Sequence, residues 1–302
     1  MDNLLDNYIY YLNNHRSGSK NTSESYYRDI SRFIAFLKEH GITDFAQVTK
    51  QTVYEYVEAL RKGQITHCEI SEATFARAMS SLRSFYRYLN ETDEVKTNPF
   101  LLVHFSKHRA KLPDVLTFDQ IERLFASFDI DNPSELRDRT ILETIYACGL
   151  RVSEALNLNL TDIDLDEMIL KVTGKGNKER YLPFYGRLRD LLIMYLNDYW
   201  SIYALEDNDA LFINLRGQRI TARSVQMSLE KHSALANLPM NVHPHLLRHS
   251  FATHLLDNGA DLRVVQTLLG HENLSTTQIY THLTTERLKK VVNEAHPHKN
   301  AK

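Results

Sequence analysis

The sequence predicts a mainly α-helical chain of two domains carrying one small antiparallel β-hairpin. Three observations support that expectation. Apolar residues recur at helical spacing in both halves, in runs that open on polar capping residues and close on glycine. Residues 91–113 keep no period and contain two prolines, as a connection between domains does. One pair of short β-forming runs flanks a glycine-containing turn. At 302 residues and 43% hydrophobic content, the chain is long for one domain and supplies core for two.

Residues 1–90 read as wholly helical. "NTSESYYRDISRFIAFLKEHG" starts on capping residues, spaces Tyr26, Ile30, Phe33 and Leu37 along one face and stops at Gly41. "VTKQTVYEYVEALRKG" repeats the scheme. In "SEATFARAMSSLRSFYRYLN" one face holds Phe75, Met79, Leu82, Phe85, Tyr86 and Leu89. The opposite face holds Arg77, Ser80, Ser81, Ser84 and Arg87, with Arg83 at its margin. Such a stripe suits a phosphate backbone, but on this helix alone a solvated surface is the favoured reading.

Residues 91–113 read as an interdomain linker, and the second domain runs from 114 to 302. It opens with Thr117 and Gln120 in a capping box. Helices are expected near 117–127, 135–148, 151–158, 186–200, 221–236, 244–258 and 261–269. Between the third and fourth, "MILKV", "TGKGNK" and "ERYLP" form the hairpin, with two glycines where a tight turn needs positive φ.

Charge and cysteine usage exclude several classes. The net charge of −2 is spread evenly: residues 1–110 hold 14 basic against 13 acidic side chains and the remainder 22 against 25, so bulk charge gives nucleic-acid binding no support. Cys68 and Cys148 match no zinc spacing and no disulfide framework. No apolar run approaches a membrane span, and the N-terminus carries acids where a secretory signal needs a basic flank. A cytoplasmic protein is expected.

Four segments carry chemistry. In "VHPHLLRHSFATHLLDNG", Pro244 suits the first helical position, which puts His245 in the first turn and Arg248 three residues on, on the same face. Both surround a helix N-terminus, a favourable place for phosphate. His245 and His249 are four apart, but with no acidic partner or third ligand at a recognisable spacing no metal is expected. His243 and His254 read as structural or surface residues. "YACGLRVSEALNL" ends a helix at Gly149 and sets Arg151 at the start of the next, with Glu154 at ion-pair spacing. Lys175 stands at the hairpin tip, where a lysine is ordinarily just soluble. In "LLGHENLSTTQIYTHL" Gly270 ends a helix, His271 follows and "STTQ" starts the helix of Tyr280, which by itself reads as a core tyrosine with a wet hydroxyl. Taken together, two arginines to clamp a phosphate, two histidines, a lysine and an attacking tyrosine are what metal-free phosphoryl transfer needs.

The order of "GLRVSE", "GKGNKER", "HPHLLRH", "LLGH" and "STTQIYTH" resembles the tyrosine recombinases of the phage-integrase superfamily, most nearly the XerC/XerD branch of chromosome-dimer resolvases. The resemblance covers nearly the whole chain. It implies a SAM-like helical core-binding domain and an α-rich catalytic domain that clamp duplex DNA between them. It implies Tyr280 as nucleophile forming a 3′-phosphotyrosine, Arg151 and Arg248 on the non-bridging oxygens, and Lys175 as general acid. His245 would assist proton transfer and His271 would bind the phosphate. No metal, ATP or other cofactor is implied.

By the same resemblance Arg77, Arg83, Arg87 and Arg223 become candidates for DNA contacts. The implied partners are duplex DNA with an inverted-repeat site, a homo- or hetero-tetramer on that DNA with a second Xer-type recombinase in some systems, and in some members a DNA-translocase activator. The terminal helix would pass to a neighbouring subunit, and the place of work would be the nucleoid. Cys148 and His243 depart from the usual pattern without touching the six catalytic positions. The alternatives are a phage or mobile-element integrase, a catalytically silent DNA-binding partner, or a helical scaffold with incidental histidines.

Overall fold

The computed structural model describes residues 1–15, 20–103, 115–174, 178–239, 242–270, 288–289, 291–292 and 294–300. Lys175, His271 and Tyr280 lie outside the described residues, as does the capping box at 275–278. The chain divides into two compact units, residues 1–110 and 111–302. Among the described residues no helix is long and apolar enough to cross a membrane.

Unit 1 contains α1 (Asp2–His15), α2 (Lys20–Glu39), α3 (Lys50–Arg61) and α4 (Glu72–Glu91). Thr49 and Ser71 cap α3 and α4 by accepting backbone N–H bonds from Thr52 and Thr74. All six apolar residues expected on one face of α4 are buried, packed with Ile30, Phe33, Leu37 and Tyr56. The polar face is less open than the wheel suggests, because α2 packs against α4. Ser81 is fully buried, and Arg77 donates to the buried Asp29 carboxylate at 2.5 Å and to the Ser25 carbonyl at 3.2 Å. Burial holds the Asp29 carboxyl above its ordinary range, with the charges of Arg77 and Arg32 offsetting it only in part. Arg83 donates to the carbonyls of Phe100 and Val103 at 3.2 and 3.3 Å. Val95, Phe100 and Val103 are themselves buried in this core, so the first half of the segment read as a linker is part of unit 1. Arg87 is exposed.

Unit 2 contains α5 (Phe118–Ala126), α6 (Pro133–Cys148), α7 (Val152–Leu156), β1 (Ile163–Asp164), β2 (Ile169–Thr173) and β3 (Glu179–Pro183). There follow α8 (Gly186–Tyr195), a π turn over Leu196–Trp200, α9 (Ser201–Tyr203), α10 (Ala222–Leu235), α11 (Pro244–Asp257) and α12 (Leu262–Leu269). Each of the seven helices expected between 117 and 269 is present, and the Thr117–Gln120 capping box forms; the helix expected to start at 275–278 lies outside the described residues. The strands make one antiparallel sheet in the order β1-β2-β3, with Leu170 opposite Leu182 and Val172 opposite Arg180. β1 is the element the sequence did not suggest: two residues are too few to show a period.

The core of unit 2 is organised around α6, which is buried almost throughout and packs on α8, α10 and α11. Two of its buried hydroxyls are satisfied within the helix: those of Thr140 and Thr144 donate to the carbonyls four residues back at 2.7 Å. Described residues of the C-terminal segment also enter this core. Leu288, Val292 and Ala295 are buried in it. His296 and His298 are buried beside Tyr146 and Tyr185. The Tyr185 hydroxyl and His298 Nδ1 stand 3.0 Å apart, and Asn258 donates to the Ala295 carbonyl at 2.7 Å.

Candidate active site

The ends of four helices and one strand converge on Arg248. α6 stops at Gly149, which takes a left-handed conformation at φ +61°, and α12 stops at Gly270 in the same way at φ +66°. Both ends present carbonyls that their own helices leave unpaired. Arg248, on the second turn of α11 and only 4% exposed, takes them: Nη1 donates to Gly149 O at 2.8 Å and Nη2 to Leu269 O at 2.6 Å. The close approach of α6 and α11 needs a residue without a side chain, since a Cβ on Gly149 would lie 2.5 Å from the Phe251 ring.

Arg151 stands at the N-cap of α7 with its side chain about half exposed at 48%. Its backbone N–H and its Nη1 each donate to Glu154 at 2.8 Å. The expected i,i+3 pair therefore exists, and it leaves Nε and Nη2 of Arg151 without a partner among the described residues. Nε of Arg248 is likewise unengaged among them. These N–H groups are the ones able to grip an anion.

Glu154 does more than hold Arg151. Its carboxylate accepts two bonds from Arg180, from Nη1 at 3.1 Å and Nη2 at 2.9 Å, and lies 3.4 Å from Arg248 Nη1. Burial pushes its pKa up, but the hydrogen bonds from Arg180 and from the Arg151 backbone outweigh that, and it titrates below the usual carboxylate range. Arg248 is pulled down to about 10, first by burial and then by repulsion from Arg151, and stays protonated at neutral pH.

Arg180 was not singled out from the sequence. It sits two residues before Leu182 on the inward face of β3, and it donates from Nε to the Leu268 carbonyl at 3.2 Å. That position held the missed signal: an arginine alternating with a buried leucine must find a partner.

His245 is in the first turn of α11 and exposed, as the Pro244 start implies. Burial of part of its ring lowers its pKa, and the nearby charge of Arg248 lowers it further, so the imidazole is neutral at pH 7 and able to accept a proton. His243 caps the same helix, accepting from the Leu246 N–H at 3.1 Å, and His254 pairs with the Tyr146 hydroxyl at 2.9 Å; both have structural roles. Among the described residues no group of His, Cys, Asp or Glu is arranged to hold a metal. Arg223 is exposed in the first turn of α10. Among the described residues it makes no contact with this cluster. Cys148 is buried, and burial raises its thiol pKa far above the usual value, which makes it an inert core residue.

Comparison with known proteins fits this geometry. Residues 114–287 match the phage integrase family and residues 5–92 match the phage integrase N-terminal SAM-like domain. The chain is 41% identical to tyrosine recombinase XerC of Listeria welshimeri over 97% of each chain. It is 40% identical to tyrosine recombinase XerC of Bacillus subtilis, covering 98% of this chain and 96% of that one. Among solved structures it resembles the XerH site-specific recombinase bound to palindromic difH substrate in a post-cleavage complex, with a TM-score of 0.70 and 25% identity over 90% of this chain and 79% of that one. The chain belongs to the phage integrase family and is a tyrosine recombinase close to XerC.

Proposed function

We propose that this site-specific recombinase exchanges strands of duplex DNA through a 3′-phosphotyrosine on Tyr280, and that its task is resolving chromosome or plasmid dimers in the cytoplasm, at the nucleoid. The supporting observation is the Arg151–Glu154–Arg248 cluster, in which two guanidiniums keep N–H groups without a partner among the described residues while their backs are held by a carboxylate and by helix-end carbonyls. Arg151 and Arg248 take the non-bridging oxygens of the scissile phosphate, and their grip tightens as charge builds in the pentacoordinate state. The Tyr280 oxygen attacks phosphorus and gives up its proton to His245, which is neutral and ready to accept it. The bond to the 5′-oxygen breaks and Lys175 protonates the leaving group, while His271 holds the phosphate.

The phosphodiester's energy is kept in the tyrosyl ester. A 5′-hydroxyl from another strand then reverses the steps, which yields exchange rather than cutting. The reaction consumes no metal, ATP or water. The working form is a tetramer on an inverted-repeat site, built from this chain alone or with a second Xer-type recombinase, with a DNA translocase as activator in some settings.

The test is incubation with a nicked duplex carrying the host's dimer-resolution site, with chelator in place of Mg²⁺. A covalent adduct is expected on a denaturing gel with the wild type and none with Tyr280→Phe. An adduct that persists in the variant would remove Tyr280 as nucleophile. A sequence-specific shift on a native gel without any adduct would instead mark a silent DNA-binding partner.

A further inference from the structure

We propose that Arg180 is a positioning residue of the strand-exchange site, dedicated to neutralising Glu154 so that Arg151 and Arg248 keep their full charge for the phosphate. The inference rests on the reading of those two arginines as the phosphate clamp. Its basis is the geometry around one carboxylate. Glu154 is nearly buried and meets three guanidiniums, but it meets them unequally. Arg180 presents a two-pronged contact at 2.9 and 3.1 Å, the fork geometry that matches a carboxylate best, while Arg248 reaches it only at 3.4 Å and Arg151 through one side-chain nitrogen.

Three guanidiniums and one carboxylate leave two positive charges in the cluster. A phosphodiester gains negative charge on becoming pentacoordinate, and that net charge is what can follow the gain. Without Arg180, Glu154 would turn to Arg151 and Arg248 and cancel half of it.

Arg180 also ties two other parts of the site to this carboxylate. It belongs to the hairpin whose sequence carries Lys175, at the β3 position opposite Val172. Its Nε holds the Leu268 carbonyl at the end of α12, and its guanidinium lies 3.3 Å from where a Gly270 Cβ would be, one residue before His271. A single side chain thus links the hairpin, Glu154 and the helix end that leads to His271.

The test is a double-variant comparison on the nicked duplex. Arg180→Met is expected to slow adduct formation by ~100-fold, the scale of losing one well-placed transition-state donor, while overall affinity for the DNA changes little. Removing the carboxylate as well, in Arg180→Met/Glu154→Gln, restores the cluster's net charge and is expected to recover ~10-fold or more of the loss. A purely structural role would give no recovery from a second substitution in the same cluster. Should Arg180→Met not fold, Arg180→Gln, which keeps a donor for the Leu268 carbonyl, makes the same comparison.

A second readout avoids catalysis altogether. In Tyr280→Phe protein, a duplex with the scissile phosphate replaced by neutral methylphosphonate is compared with the natural one. Preference for the charged phosphate is expected to fall with Arg180→Met and return with Glu154→Gln. Absence of a wild-type adduct would count against Tyr280 alone, whereas an unchanged preference in Arg180→Met, or a folded double variant no better than the single one, would overturn the role of Arg180.

Discussion

Gly149 and Phe251 are packed so closely that no other residue fits at position 149: a Cβ there would meet the Phe251 ring at 2.5 Å and the Leu269 side chain at 3.1 Å. The φ of +61° adds strain for any L side chain. Gly149→Ala should therefore destabilise the protein by about 2–4 kcal/mol, from overpacking together with the unfavourable backbone. Urea unfolding measures this, and Gly149→Ala/Phe251→Leu should recover part of the loss. Wild-type stability in the single variant would show that α6 and α11 can separate freely.

Arg248→Lys should be nearly inactive while still binding DNA. A lysine keeps the charge, but its single nitrogen cannot hold both the Gly149 and Leu269 carbonyls and still face a phosphate. A fall of ~100-fold or more in adduct formation, with affinity close to wild type, is the expected pattern. Full activity in the lysine variant would mean that charge alone suffices.

The depressed pKa of His245 sets a pH signature. Partial burial comes first among its causes, and the charge of Arg248 and the neighbouring His243, His249 and Arg151 follow. Its imidazole should titrate below the usual 6.5 when followed by NMR of labelled histidine, and adduct formation should hold its plateau through that pH. Arg151→Met removes one repelling charge and should move the His245 titration upward. A midpoint at or above 6.5 in the wild type would contradict the electrostatic picture.

Acid should unfold the protein in two ranges. His296 is buried and held neutral, with a pKa well below 6.5 in the fold, so the unfolded chain takes up its proton first and stability falls as pH drops below 6.5. Glu143 and Glu154 titrate below the usual 4.5 despite burial, Glu143 through His298 and Arg187 and Glu154 chiefly through Arg180. Their contribution is complete above 4.5 and is lost as pH falls towards their lowered values. Denaturant midpoints measured across pH should show the first decline weakened in His296→Phe. An unchanged profile in that variant would assign the decline elsewhere.

The arginines of α4 should separate into two behaviours. Arg77→Ala leaves the buried Asp29 without its nearest partner and should cost roughly 1–3 kcal/mol of stability. Arg87→Ala, at an exposed position, should leave stability unchanged, and it should reduce DNA affinity and the steepness of its salt dependence if α4 faces the backbone. Arg223→Ala should behave as Arg87→Ala does. Salt-dependent binding isotherms beside urea curves distinguish the two classes.

Most of the architecture was legible because it is locally encoded. Thr117, Pro244, Gly149 and Gly270 mark helix ends through their own backbone needs, and their helices begin and end where those residues say. The pairing of Arg151 with Glu154 was legible for the same reason, being one turn long. What escaped depends on long-range partners. Nothing near Arg77 in sequence announces Asp29, which is 48 residues away and converts a seemingly solvated stripe into a partly buried ion pair. Nothing near Glu154 announces Arg180, 26 residues on and in a different kind of element. Arg151 and Arg248 could be enumerated from the sequence, but Arg180 could not, and the carboxylate that organises all three could not be ranked above an ordinary helix-surface pair.

The anchoring of Arg248 on the Gly149 and Leu269 carbonyls has one more consequence. Both acceptors are peptide oxygens at the negative ends of helices, so they do not titrate and no side-chain substitution deletes them. The direction in which this guanidinium points is thus inherited from the path of the main chain. Mutational drift in the surrounding side chains can loosen the packing of this unit long before it can re-aim Arg248.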